Sequence, residues 1–218
     1  YQWVLPLSAK GTALERLADK PFALPQTMEL FDIDASAGFD APATISLTTV
    51  RRGAEGLGQH LQFSSVSAAQ LETAFKSQLT GSSTWDRIDT VKYRYDRATQ
   101  AAILTITGAG PVEWEKEGAQ GRYYRLPGGG FNPPARRQRS ETGAGAIPFY
   151  QAPDYSCHVT TVRLPQGTDV ADWGFNSVFD TMLYGESFYR MMELRKDDRT
   201  LRLVRGNRVE QLEIAPEK

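Results

Sequence analysis

The sequence is poor in several features that define whole classes of protein. It has one cysteine, Cys157, and two histidines in 218 residues, so it has no internal disulfide and no paired Cys-x-x-Cys metal motif. No apolar run approaches the roughly 18 residues of a membrane-spanning helix. Its 25 basic and 26 acidic residues leave a net charge of -1, which gives no overall field to attract nucleic acid. We therefore predict no nucleic-acid partner and no membrane span.

Familiar catalytic motifs are also lacking. The chain has no Gly-x-Ser-x-Gly, no Gly-rich phosphate loop and no His-Glu-x-x-His, so we expect no catalytic residue, no cofactor and no metal ligand. The 40% hydrophobic and 23% charged composition is ordinary for a folded protein. The chain begins at Tyr1 rather than Met, which indicates a fragment or a mature product whose preceding segment the sequence does not define.

The residue pattern predicts a mainly β, α+β fold with antiparallel, sandwich-like sheets and one short helix at about 67–80. Ser67 and Gln70 form a capping box for that helix, and Gly81 is placed to end it. Its apolar residues recur at helical spacing, at Leu71, Ala74, Phe75 and Leu79. Alternating apolar residues predict strands at 44–50, 57–63, 91–95, 102–106, 155–164, 187–195, 200–205 and 208–214.

Proline and glycine divide the chain. Residues 127–153 hold five Gly and five Pro, which favours a long, mobile loop without regular structure. Turns are expected at Asp197–Asp198 and at Gly206–Asn207. We predict four segments: an extended N-terminal arm or linker at 1–43, a strand-strand-helix-strand-strand unit at 44–126, the Gly/Pro-rich loop at 127–153, and an antiparallel meander at 154–218 packed on or beside the first unit.

The cysteine raises one alternative, a stand-alone thiol hydrolase that uses Cys157. Such a nucleophile needs an imidazole within hydrogen-bond reach. His158 is adjacent in sequence, but neighbours on a strand point to opposite faces. His60, on the predicted strand 57–63, is placed on its polar face with Gly58 and Gln62. We therefore interpret Cys157 as a half-buried structural residue and expect the isolated chain to have no hydrolase or acyl-transfer activity.

Other polar and aromatic groups have functional and structural interpretations. Asp32, Asp34, Ser36 and Asp40 resemble a calcium loop, but Ala37 and Ala43 occupy its most diagnostic positions, so a solvated turn is favoured and weak cation binding is left open. An exposed strand edge is the favoured interpretation of the three acidic residues Glu113, Glu115 and Glu117. A solvated basic loop is favoured for Arg136, Arg137 and Arg139 beside Phe131. The candidate stacking platforms of a carbohydrate- or small-ligand-binding β-sandwich are Trp85, Trp114 or Trp173.

A family resemblance rests on short motifs and on the order of elements. The stretch from Asp34 to Ala43, followed by Arg52-Gly53 and a predicted strand ending in Phe63, resembles the region after the catalytic domain in bacterial transglutaminase-like proteins that carry a DUF3857 module. Those regions often continue with a short helix, a β-hairpin, a Leu-Pro step, a Gly/Pro-rich loop and an aliphatic-Leu-Pro-x-Gly turn. The matching places are Ser67 to Leu79, Val91 to Ile106, Leu126-Pro127, 127–153, and Leu164-Pro165-Gln166-Gly167.

The resemblance implies a function for the chain but provides no catalytic residue. The enzymatic module of that family uses a Cys-His-Asp triad, and no segment here matches the surroundings of its cysteine or histidine. The resemblance implies a non-catalytic accessory region for binding or scaffolding, attached to a transglutaminase-like or protease-like module. Its partners would be that adjacent module or a protein or cell-wall substrate. Such proteins are usually exported in Gram-negative bacteria, which implies a periplasmic or otherwise exported location.

Overall fold

A computed structural model describes residues 3–6, 13–16, 19–116, 121–127, 148–174, 178–196 and 198–215. Two helices, α1 (Gly53–Ser64) and α2 (Ala68–Leu79), lie between two pairs of long strands. The strands are β1 (Trp3–Val4), β2 (Glu15–Arg16), β3 (Thr27–Asp34), β4 (Ala43–Arg51), β5 (Arg87–Asp96), β6 (Ala101–Gly110), β7 (Glu115–Lys116), β8 (Arg122–Tyr123), β9 (Phe149–Tyr150), β10 (Tyr155–Arg163), β11 (Phe179–Leu183), β12 (Glu186–Arg195), β13 (Thr200–Val209) and β14 (Glu213–Ile214).

Eight strands form one large mixed sheet in the order β11-β12-β13-β10-β3-β4-β6-β5. All neighbours in it are antiparallel except β3 and β10, which run parallel. Strands from both sides of the Gly/Pro-rich loop therefore share one continuous hydrogen-bonded sheet. The short pairs β1–β2, β7–β8 and β9–β14 lie outside it.

The two faces of the sheet differ in what covers them. Ile33 pairs with Ile45 on one side and Val162 on the other, so these buried side chains share one face, which we call the inner face. α1 contacts β4 and β6, and α2 contacts β5. Phe63 of α1 packs edge-on against Tyr93 of β5, with ring centroids 5.1 Å apart. The helices thus cover the inner face at its β5 end.

The mainly β, α+β class is confirmed, as is the predominance of antiparallel pairs. The layer packed on the large sheet consists of helices and connecting segments, rather than a second sheet of similar size, in the ranges that the structure describes. The predicted helix is α2, and its capping box is present: Gln70 N donates to Ser67 Oγ at 3.2 Å, and Ser67 N donates to Gln70 Oε1 at 2.9 Å. The hairpin of β5 and β6 is also confirmed.

The prediction of a strand at 57–63 is wrong, because these residues belong to α1. Leu57 and Leu61 are four residues apart, a spacing that satisfies both a strand face and a helix face. The helix exposes both leucines and buries Gly56 instead. A side chain at Gly56 would collide with the carbonyl oxygen of Arg51. Gly56 lets α1 approach the sheet closely, but a glycine has no side chain to contribute to a hydrophobic pattern. The spacing of Leu57 and Leu61 therefore predicted a strand where the chain forms a helix.

Three further elements differ from expectation. Residues 27–34, inside the expected N-terminal arm, form the interior strand β3. The strand β11 at 179–183 was not predicted. The predicted turn at Gly206–Asn207 is wrong, because β13 continues through both residues. Gly206 pairs with Tyr189 of β12, and a Cβ placed on it would lie 2.5 Å from Tyr189 Oη. The glycine makes room for an aromatic ring rather than for a turn.

The predicted long loop at 127–153 falls largely outside the described residues, which exclude 128–147. At its end, Phe149–Tyr150 forms β9 and pairs with β14. The division of the chain into segments at 43, 126 and 153 stays a prediction. Neither helix in the described ranges is long and apolar enough to cross a membrane.

Candidate functional site

A pocket of about 280 Å³ lies between the inner face of the sheet and the connection that follows β6. Its floor is apolar: Phe31 and Ile33 of β3 and Ile45 of β4. Ser83 and Thr84, just before β5, supply hydroxyl groups at one side. The connection supplies the remaining wall, formed by Pro111, Glu113, Tyr124, Arg125 and Pro127. The pocket therefore combines an apolar base from β3 and β4 with polar and charged groups from two other parts of the chain.

Aromatic packing holds this connection against the end of the sheet. Trp114 packs against Tyr124 at 5.4 Å, Phe39 at 5.2 Å and Trp173 at 5.5 Å between ring centroids. The guanidinium of Arg122 lies 4.5 Å from the centroid of Phe39, a cation–π geometry. We call the four rings Phe39, Trp114, Tyr124 and Trp173 the aromatic cluster. It fixes Tyr124, the one ring that also lines the pocket.

Two of the three tryptophans that were candidate stacking platforms belong to the aromatic cluster. Trp85 is only 3% exposed and belongs to the core. Trp114 and Trp173 are half-buried and pack on each other and on Phe39. Trp173 Nε1 donates to Thr168 Oγ1 at 3.1 Å. These contacts favour packing for all three tryptophans, rather than an open platform for a sugar ring.

Charge at the pocket rim comes from two lining residues of opposite sign, Glu113 and Arg125. Arg125 Nε lies 3.0 Å from Glu115 Oε1, so its charge is already paired. Glu115 also accepts a hydrogen bond from the Tyr123 hydroxyl. Burial, followed by the nearby Glu113 carboxylate, raises the pKa of Tyr124. Glu113 and the neutral Tyr124 phenol thus define the polar side of the pocket.

A polar network beneath the pocket supports its wall. Thr160 Oγ1 donates to the carbonyl oxygen of Pro127 at 3.0 Å, and its single proton is thereby used. His158 Nε2, 3.2 Å away, must then donate to Thr160. The other ring nitrogen, Nδ1, faces Glu29 Oε2 at 3.4 Å. The two ring nitrogens therefore face two oxygen atoms, Thr160 Oγ1 and Glu29 Oε2.

Glu29 is the acidic member of this network. Its pKa is lowered to about 2, chiefly by the hydrogen bond from His158 and then by Arg51, against the opposing effect of burial. Arg51 Nη2 lies 3.2 Å from Glu29 Oε1. His158 also stacks on Phe31, with ring centroids 5.7 Å apart. The network therefore contacts both the floor of the pocket, at Phe31, and its wall, at Pro127.

The cysteine and the two histidines do not come together. Cys157 pairs with Gly206 and Met28, so it points away from the inner face that carries His158. Its sulfur lies 3.8 Å from the hydroxyl of Tyr189. His60 lies on α1, not on a strand, and stacks on Tyr95 at 4.0 Å while its Nδ1 hydrogen-bonds the Tyr93 hydroxyl at 3.0 Å. The opposite orientation of Cys157 and His158 was predicted correctly, and the placement of His60 was wrong.

The calcium-like residues lie at the end of β3, which holds Asp32 and Asp34, and in the turns that follow it, which hold Ser36 and Asp40. Asp34 Oδ1 accepts from the backbone N–H and the hydroxyl of Ser36, at 3.0 and 2.5 Å, and Oδ2 lies 3.5 Å from Arg163. The side chain of Asp40 is 98% exposed. Across the described ranges, no three acidic, histidine or cysteine side chains are grouped to hold a metal ion. Glu117, Phe131 and the arginines at 136, 137 and 139 lie outside the described residues.

The sequence pattern does not reveal the pocket. Its floor comes from β3 and β4, whereas its wall comes from residues 111–127. Pro111 and the aromatic Trp114 and Tyr124 mark the connection as irregular and packed, but nothing local in the sequence shows which surface it covers. Searches of protein-family models, curated proteins and solved structures found no match to this chain. The candidate site therefore depends on its own geometry.

Proposed function

We propose that the chain is a non-catalytic binding module that holds a small, largely apolar group in the pocket beneath residues 111–127. The observation that carries this proposal is the cavity of about 280 Å³ with Phe31, Ile33 and Ile45 as its floor. Concave sites with an apolar base and a few polar groups are the usual form of small-molecule sites. Apolar ligand surface gains free energy when it leaves water for such a floor.

The size of the cavity limits the ligand. At roughly 30 Å³ for each water molecule in the liquid, 280 Å³ corresponds to about nine waters. That volume suits one aromatic ring or one branched aliphatic group with a short polar arm. A single side chain of a protein partner fits this description, and so does a small free molecule.

An accessory role agrees with the family resemblance. We propose that the pocket serves an adjacent transglutaminase-like or protease-like module by binding a protein or cell-wall substrate in an exported, periplasmic setting. The opposite orientation of Cys157 and His158 supports a binding role over a thiol hydrolase. Sequencing of the gene upstream of Tyr1 tests the attachment, since an open reading frame without a catalytic module would contradict it.

Blocking the pocket mouth tests the binding proposal. Ser83 is exposed and lines the pocket, so Ser83→Trp should fill its entrance without disturbing the core. Ser82 is also exposed but is not among the lining residues, which makes Ser82→Trp the matched control. With 2-phenylethanol as the probe, saturation-transfer NMR should show binding to the parent chain and to Ser82→Trp, and its loss in Ser83→Trp. Equal signals from both variants would contradict a pocket-bound probe.

A further inference from the structure

The geometry points to a ligand that carries a primary ammonium group on its apolar body, bound with the ammonium at Glu113. This inference rests on the proposed function of the pocket and names the chemical class of its ligand. It follows from the charge at the rim, the groups that surround that charge, and the apolar floor.

Of the ten residues that line the pocket, Glu113 and Arg125 are the charged ones. Arg125 is paired with Glu115 outside the lining set, at 3.0 Å. Among the residues that the structure describes, Glu113 is therefore the charged lining residue whose carboxylate has no ion-pair partner. An anionic ligand would meet this carboxylate and would have to compete with Glu115 for Arg125.

Glu113 shares the pocket lining with a phenol ring and two hydroxyl groups. Tyr124 lines the same wall, and burial, followed by the nearby Glu113 carboxylate, raises the pKa of its phenol. A neutral phenol ring presents a negative face to a cation. Ser83 and Thr84 add hydroxyl oxygens that can accept hydrogen bonds. The lining thus provides a carboxylate, an aromatic ring and two hydroxyls, the kinds of group that can accept the three N–H donors and balance the single charge of an ammonium group.

The floor of the pocket determines which kind of ligand body fits it. Phe31, Ile33 and Ile45 offer no polar side-chain atoms, so the part that enters the floor is a hydrocarbon. An ammonium next to an aryl or branched alkyl group occurs in free amines and at the N-terminus of a peptide that begins with an apolar residue. The two sources share the same chemistry at this site.

Two matched probes measure the contribution of the ligand's charge to binding separately from that of its hydrocarbon body. 2-Phenylethylamine and 2-phenylethanol have the same body, and only the amine is cationic at pH 7. We expect the parent chain to bind the amine about fivefold more tightly, the advantage of one partly exposed ion pair. Glu113→Gln should abolish this advantage and leave the affinity for 2-phenylethanol unchanged. Glu55→Gln, which removes the same charge from the exposed first turn of α1, should retain it.

The outcomes distinguish this inference from the proposed function. If 2-phenylethanol binds and Ser83→Trp blocks it, the pocket is a binding site. The ammonium inference is then overturned if the amine has no advantage, or if its advantage survives in Glu113→Gln. If neither probe responds to Ser83→Trp, the proposed function itself fails. The tripeptide amide Phe-Gly-Gly, compared with its N-acetylated form, identifies the source: tighter binding of the free N-terminus supports a peptide, and binding of the amine alone supports a free amine.

Discussion

Replacement of Glu29 by Gln should destabilise the protein at neutral pH but not at strongly acidic pH. The carboxylate is held by His158 and Arg51, which lower its pKa from the ordinary value of 4.5 to about 2. At about 1.4 kcal/mol for each pKa unit, the full difference is about 3 kcal/mol. Because 41% of the side chain is exposed, solvent screening reduces this to about 1 to 2 kcal/mol.

The pH dependence has a definite sign. A carboxyl whose pKa is lower in the folded state stabilises the fold above its unfolded pKa, and that stabilisation disappears as the pH falls toward the folded value. The difference in unfolding free energy between the parent and Glu29→Gln should therefore be complete above pH 5 and should vanish between about pH 4.5 and 2. Urea denaturation at pH 7, 5, 4 and 3 measures it, with Glu55→Gln as the control. A difference that is constant with pH, or that grows in acid, would refute the assigned pairing.

Three other changes test separate parts of the fold. Gly206→Ala should lower the free energy of unfolding by about 1 kcal/mol through contact with Tyr189, and chemical denaturation should show a smaller loss when Tyr189→Ala is also present. Ser67→Ala removes the acceptor for the Gln70 N–H and should cost about 1 kcal/mol in the same assay, whereas no change would mean that the cap is unimportant. Cys157 should react slowly with iodoacetamide at and below neutral pH, and Cys157→Ser should remove no activity, because the thiol has no imidazole partner; fast labelling below pH 7 would argue for a nucleophile.

Local signals predicted the elements that local chemistry determines. The capping box of Ser67 and Gln70 identified α2 because both of its hydrogen bonds lie within one helical turn. Alternation identified β5 and β6, and it correctly separated Cys157 from His158 because successive strand residues face opposite ways. These inferences required no knowledge of which distant segments meet.

Contacts between distant segments could not be predicted in this way. The parallel pairing of β3 with β10 brings Glu29 to His158, and no residue pattern in either strand identifies the other as its neighbour. The pocket has the same origin, since Ile33 and Tyr124 meet only after the connection folds back. α1 was missed for another reason: its close approach to the sheet depends on Gly56, which has no side chain to give a periodic signal.

The most direct test of the binding account is a titration observed at isoleucine methyl groups. Ile33 and Ile45 line the pocket floor, whereas Ile103 pairs with Val50 and Arg94 on the opposite face of the sheet. In a sample with labelled isoleucine δ1 methyls, addition of 2-phenylethylamine should shift the signals of Ile33 and Ile45 in a saturable manner and leave Ile103 unchanged. Shifts at Ile103 without shifts at Ile33 and Ile45, or no saturable shift at any of the three, would contradict the account.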